Sequence, residues 1–114
     1  MRARLHQATE DYALAAKYFR GLGDPTRLAV LQILAQRGEL TVSQLGAAVG
    51  VAQGRLSDHL ACLRWCHYVE TRRQGKHVYY SIVDGRLLQV LRLVNELSQE
   101  QQPQLDCCQR IRDF

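Results

Sequence analysis

A chain of 114 residues is long enough for one domain and too short for two ordinary ones. Apolar residues at 46% and charged residues at 23% match a folded soluble protein, and no run approaches the roughly 18 apolar residues of a membrane span. Arg2 and Arg4 lead into polar His6, Gln7, Thr9, Glu10 and Asp11 rather than the apolar core of a signal peptide, so a cytoplasmic protein without a membrane partner is expected.

The first helix is expected from about Thr9 to Arg20, with Tyr12, Ala15, Ala16 and Phe19 on one face, and Gly21 and Gly23 breaking it. Asp24-Pro25 is a strong start signal, because Asp caps free amides and Pro fits the first helical position. The helix that follows carries Leu28, Leu31, Ile33, Leu34 and Ala35 and stops at Gly38. Thr41-Val42-Ser43-Gln44 fits a capping box, so a short third helix should turn Leu45, Ala48 and Val49 inward before Gly50 ends it. After only Val51 and Ala52, Leu56, Leu60 and Leu63 set the stripe of a fourth helix. Two helices across so tight a turn form a helix-turn-helix.

Val69 to Arg73 and Lys76 to Ile82 alternate β-branched or aromatic residues with polar ones about Gln74-Gly75, which reads as a β-hairpin. Asp84 is placed to cap a last helix holding Leu87, Leu88, Val90, Leu91, Val94 and Leu97. Its apolar surface exceeds one stripe, so it should pack both on its own core and on another subunit. The expected fold is mainly α with a β-hairpin wing, a homodimeric winged helix-turn-helix over residues 1–98. Residues 99–114 form a polar tail, interrupted by Pro103 and expected to be mobile in part.

Charge placement points to a partner. Fifteen Lys+Arg against eleven Asp+Glu give +4. Between Gln53 and Ile82, five cations (Arg55, Arg64, Arg72, Arg73, Lys76) face two anions (Asp58, Glu70), so most of the excess sits on the helix-turn-helix and hairpin. A recognition helix enters the major groove with its first turns while a hairpin straddles the backbone. Gln53, Arg55, Ser57 and Asp58 lie in those turns, and His59 lies one turn beyond Arg55. Arg72, Arg73 and Lys76 near the hairpin tip suit phosphate or minor-groove contact. A solvated face is the plain alternative for any one cation, and Gly54 and Asp58 work against DNA by loosening the helix and repelling phosphate. The arrangement as a whole points to double-stranded operator DNA.

Four cysteines in a small cytosolic chain point to metal or redox chemistry rather than a disulfide framework. Cys62 and Cys66 are four residues apart on the recognition helix, with Cβ atoms about 5–6 Å apart. That separation is too wide for a relaxed disulfide, which wants about 3.5–4.5 Å. It suits two thiolates on one metal at about 2.3 Å each. Both fall off the Leu56/Leu60/Leu63 stripe, although a free Cys also serves as a small hydrophobe. Cys107 and Cys108 lie in a polar tail with no packing need for thiols and can close over a metal held by the first pair. All-sulfur ligation selects soft ions. His67, beside Cys66, is a weak further donor; His6 and His77 have no partner in sequence and read as surface residues.

Gly23-Asp24-Pro25-Thr26-Arg27-Leu28, Ser57-Asp58-His59-Leu60 with Leu63, and Gly75-Lys76-His77-Val78-Tyr79-Tyr80 together resemble the ArsR/SmtB family of metal-responsive bacterial repressors over roughly residues 12–98. The resemblance implies a homodimer through the first and last helices, and a repressor that leaves its operator when metal binds. Thr41-Val42-Ser43 stands where one family site has Cys-x-Cys, and Arg86 stands where another has its ligand after Asp84. Leu60-Ala61-Cys62-Leu63-Arg64-Trp65-Cys66 instead resembles the CmtR-type cadmium/lead sensor branch. That resemblance implies Cd(II) or Pb(II) as effector, held by Cys62, Cys66 and a tail thiolate from Cys107 or Cys108, with Hg(II) or As(III) as further soft ions. Ala52 departs from the family's usual capping Ser. A redox or reactive-sulfur sensor using the same thiols is the alternative. A third reading is an interaction module that uses the winged helix only to dimerise. No nucleophile–base constellation marks an enzyme.

Overall fold

The structure, a computed structural model, describes residues 2–111, the side chains of residues 2–7 excepted, so the expectation for His6 lies outside what is described. Helix α1 runs Arg2–Leu22 and α2 runs Pro25–Arg37; strand β1 is Leu40–Thr41, followed by α3 at Val42–Val49 and α4 at Gln53–Trp65. Strands β2 (Val69–Gln74) and β3 (His77–Ile82) precede α5 at Arg86–Glu100 and a short α6 at Gln102–Cys107.

Helix α1 begins well before Thr9. Nothing between Arg2 and Ala8 stops a helix, since that stretch holds good helix formers and no Gly or Pro. At α2 the carboxylate of Asp24 accepts the amides of Thr26 and Arg27, with Pro25 in the first turn as the sequence requires. At α3 the Thr41 hydroxyl accepts the Gln44 amide while the Gln44 side chain accepts the Thr41 amide, completing the capping box. Helix α4 opens at Ala52 without any side-chain cap. Asp84 was expected to cap α5, but Gly85 occupies that position. The Asp84 carboxylate instead accepts the Arg86 amide at 2.9 Å and its guanidinium at 2.7 Å. In the tail the helix breaks at Gln101, two residues before Pro103 as expected, and resumes as α6 with Pro103 in its first turn, where its missing amide costs nothing.

The sheet is antiparallel in the order β1-β3-β2, with Leu40 opposite Tyr80 and Val69 opposite Ile82. Strand β1 is too short to show alternation, and its Thr41 doubles as the cap of α3. Gln74 pairs with His77, so the turn is Gly75-Lys76 rather than Gln74-Gly75. Gly75 takes φ +62, which the hairpin demands and a side chain resists, and Lys76 is carried to the tip.

One core gathers Val30, Leu31 and Leu34 from α2, Leu45 from α3, Leu56, Leu60 and Leu63 from α4, Val69 from β2, and Leu87 and Leu91 from α5. Ala48 is exposed, because Val42, Leu45 and Val49 define the inward stripe of α3 and Ala48 falls beyond its edge. Helices α1 and α5 leave large apolar side chains in solvent: Tyr12, Leu14 and Phe19 on the first, Leu93, Val94 and Leu97 on the second. No helix among the described residues is long and apolar enough to cross a membrane.

Candidate nucleic-acid interface and thiol pair

With Leu56, Leu60 and Leu63 buried, the opposite face of α4 is fixed outward. Gln53, Arg55, Ser57 and Asp58 are all exposed on it. Arg73 and Lys76 are exposed on the wing and make no ion pair among the described residues. Arg72 is different. It bonds Glu39 at 2.9 Å and Gln74 Oε1 at 2.9 Å, with its guanidinium 4.9 Å from the centre of the Tyr79 ring, so it braces the wing to the turn between α2 and β1. His59 departs further from the outward face: its side chain is only 16% exposed, 3.9 Å from Asp24 Oδ1 and 3.5 Å from the Arg27 guanidinium.

Arg27 and Asp24 were read from sequence only as part of a helix start, and nothing in the spacing announced their further contacts. Arg27 donates to the carbonyls of Gly21 at 2.7 Å and Arg20 at 3.4 Å, tying α2 to the end of α1. Burial alone would raise the Asp24 carboxyl, but the Arg27 amide, the charges of His59 and Arg27, and the Thr26 amide together hold it below its ordinary value.

Cys62 is half-buried and Cys66 exposed. Helix α4 ends at Trp65, yet the Cys66 amide still bonds the Cys62 carbonyl at 3.0 Å, so the one-turn spacing is kept. The His67 amide bonds Arg64 O at 3.1 Å and the Tyr68 amide bonds Leu63 O at 2.9 Å, which is a Schellman closure. Its left-handed position is held by His67 at φ +67 instead of by glycine. That closure sends Tyr68 back to α1, where its hydroxyl donates to the Tyr18 carbonyl at 2.7 Å and the two rings lie 4.8 Å apart. Burial, followed by the neighbouring Tyr18, Cys66 and Cys62, raises the Tyr68 hydroxyl pKa. Glycine is required at position 21, since a Cβ there would run into Tyr68 Oη. An open groove of about 620 Å³ runs beside this contact, lined by Asp11, Leu14, Ala15, Lys17, Tyr18, Cys66 and Tyr68.

Cys107 is exposed at the end of α6 and Cys108 half-buried just beyond it. Among the described residues, no three His, Cys, Asp or Glu side chains come together to hold a metal ion. The donor set present is therefore a thiol pair on α4 and a separate pair in the tail. His77 is exposed on the wing and His67 exposed beside the pair.

A helix-turn-helix whose outward face continues into a basic hairpin defines a DNA-binding winged-helix transcriptional regulator, not an enzyme. Residues 24–71 match the bacterial regulatory protein, arsR family, and the chain belongs to that family. It is 44% identical over 96 residues to a probable mercury resistance operon repressor from Streptomyces lividans, covering 84% of this chain and 76% of that protein. It is 37% identical over 76 residues to the regulator CmtR from Mycobacterium tuberculosis, covering 67% of this chain and 64% of that one. A solved homodimeric winged helix-turn-helix DNA-binding domain from Mycobacterium bovis superposes with a TM-score of 0.70 at 30% identity, covering 81% of this chain and 86% of that domain.

Proposed function

We propose that the protein is a homodimeric repressor that binds operator DNA through α4 and the wing and leaves it when a thiophilic metal ion is bound by Cys62, Cys66 and a tail cysteine. The observation that carries this reading is the accessible thiol pair at the end of the recognition helix, off its buried leucine stripe. A soft ion fits that donor set: thiolate sulfur prefers Cd(II), Pb(II), Hg(II) or As(III) over harder cations. Two sulfurs suffice for Hg(II), the metal named for the Streptomyces relative. A third, from Cys107 or Cys108, suits Cd(II), Pb(II) or As(III), and the tail must move to supply it, because no three donors come together among the described residues. Ordering the tail costs entropy that metal–thiolate bonding offsets.

Ligation at Cys62 and Cys66 acts on the DNA-reading helix itself, so release needs no long relay. A coupling of about 1–3 kcal/mol is ordinary for such a switch. The exposed faces of α1 and α5 supply the surface for a second copy, and the Mycobacterium bovis domain pairs as a homodimer.

The test uses reduced protein and a duplex that it selects from a random pool. Cd(II), Pb(II), Hg(II), arsenite and Zn(II) are added in turn while thiolate-to-metal absorbance and duplex retention are followed together. Thiophilic ions are expected to raise the absorbance and free the duplex, and Cys62→Ser or Cys66→Ser to abolish both effects. Persistent cadmium-dependent release in those two variants excludes the α4 site. Release that appears only with an oxidant and reverses with a reductant replaces the metal reading with the redox one.

A further inference from the structure

His59 lies one turn after the outward-facing Arg55, which made it a natural DNA contact by sequence position. In the fold its ring turns inward and meets the point where three helices converge. Asp24 Oδ1, at the start of α2, is 3.9 Å from Nδ1, and the Arg27 guanidinium is 3.5 Å from the same nitrogen. Arg27 can only donate, so the contact is a hydrogen bond when the ring is neutral with Nδ1 free to accept. Arg27 also grips the last carbonyls of α1, at Gly21 and Arg20. The chain of contacts therefore runs from the end of α1, through the start of α2, to the middle of α4.

We propose that His59 is a positioning residue for operator binding: it fixes the rotation of α4 about its own axis and does not touch DNA. Leu56, Leu60 and Leu63 seat α4 in the core, but apolar contacts are non-directional and tolerate small rotations. A polar contact has a preferred direction and resists them. A rotation at His59 displaces Arg55 and Asp58 on the reading face by the same angle, so a modest loosening is felt by every base contact. Tying the helix to α1 also orients each reading head relative to the helix offered to a second copy. The inference rests on DNA recognition through α4 and is independent of any metal.

The experiment compares wild type, His59→Ala, His59→Gln, Asp24→Asn and the His59→Ala/Asp24→Asn double variant on the duplex selected by the wild type, across a salt series. Thermal melting confirms that each variant folds. His59→Ala is expected to weaken binding roughly 2- to 30-fold, with the salt dependence unchanged. Gln, whose carbonyl oxygen accepts from Arg27, is expected to restore most of the affinity even if Ala fails to fold. The double variant should lose less than the two single losses combined, because both break one junction. A salt slope shallower by about 0.9, the mark of one lost phosphate contact, together with additive losses, overturns the proposal. Full affinity in His59→Ala overturns it too. Failure of the wild type to select any duplex refutes the DNA-recognition reading instead.

Discussion

At His67 the backbone turns left-handed to close α4, and at Gly21 a missing side chain lets Tyr68 reach α1; each single residue governs how the thiol pair is mounted. A non-glycine residue in the left-handed region costs about 1–2 kcal/mol. His67→Gly is therefore expected to stabilise the protein by about 1 kcal/mol in urea denaturation. Gly21→Ala works in the opposite direction. Its helix propensity gain of up to about 1 kcal/mol is outweighed by overpacking against Tyr68, typically about 1–3 kcal/mol. Because the hydroxyl oxygen is the nearest clashing atom, Tyr68→Phe in the Gly21→Ala background should recover part of the loss. Neither effect was legible in sequence. The left-handed turn is written in no glycine, and the Tyr18–Tyr68 contact joins residues fifty positions apart.

Helices and the hairpin were the legible level, because capping and periodicity are local. Asp24-Pro25, the Thr41/Gln44 box and the Leu56/Leu60/Leu63 stripe all formed as their chemistry dictates. Two elements were missed: β1 exists only because the distant β3 lies beside it, and α6 has no buried stripe to announce it. Asp24→Ala should destabilise the protein by about 1 kcal/mol through loss of the α2 cap. Since the Asp24 carboxyl titrates below its ordinary value in the fold, its stabilisation is fully present above the unfolded value near pH 4. That contribution fades as pH falls through the lower folded value, so acid unfolding of Asp24→Ala should be less steep there than that of the wild type. On the wing, Arg73→Ala and Lys76→Ala are each expected to reduce the salt slope of operator binding by about 0.9. Arg72→Ala should leave the slope nearly unchanged, since that guanidinium is already committed to Glu39. Equilibrium binding measured between low and moderate salt separates the three.

Across the whole molecule, the excess apolar surface of the last helix was read correctly in its first half: Leu87 and Leu91 enter the chain's own core. Leu93 and Leu97, each 51% exposed, remain for another surface. Leu93→Glu or Leu97→Glu is expected to give a folded monomer by sedimentation, with operator affinity reduced at least tenfold, because one reading head forfeits the avidity of two. A dimer that survives both substitutions places the subunit contact elsewhere. The outward side of α4 and the wing was legible as a side but not member by member. Helical spacing assigns a side, whereas the inward turn of His59 and the bracing of Arg72 depend on Asp24, Arg27 and Glu39, distant in sequence. The cysteines were legible in spacing on α4. The tail thiols lie at and just beyond the end of a helix, α6, whose placement no local pattern encodes.

The chain has a single tryptophan, and it sits between the two sulfurs of α4 in sequence: Trp65 immediately precedes Cys66 and is 89% exposed. An indole so placed is a built-in fluorophore. Heavy ions captured next door are expected to quench its emission, and a tail folding over them to shift it to the blue. Occupancy and closure can thus be timed separately in a stopped-flow instrument, on the natural sequence, with no dye attached.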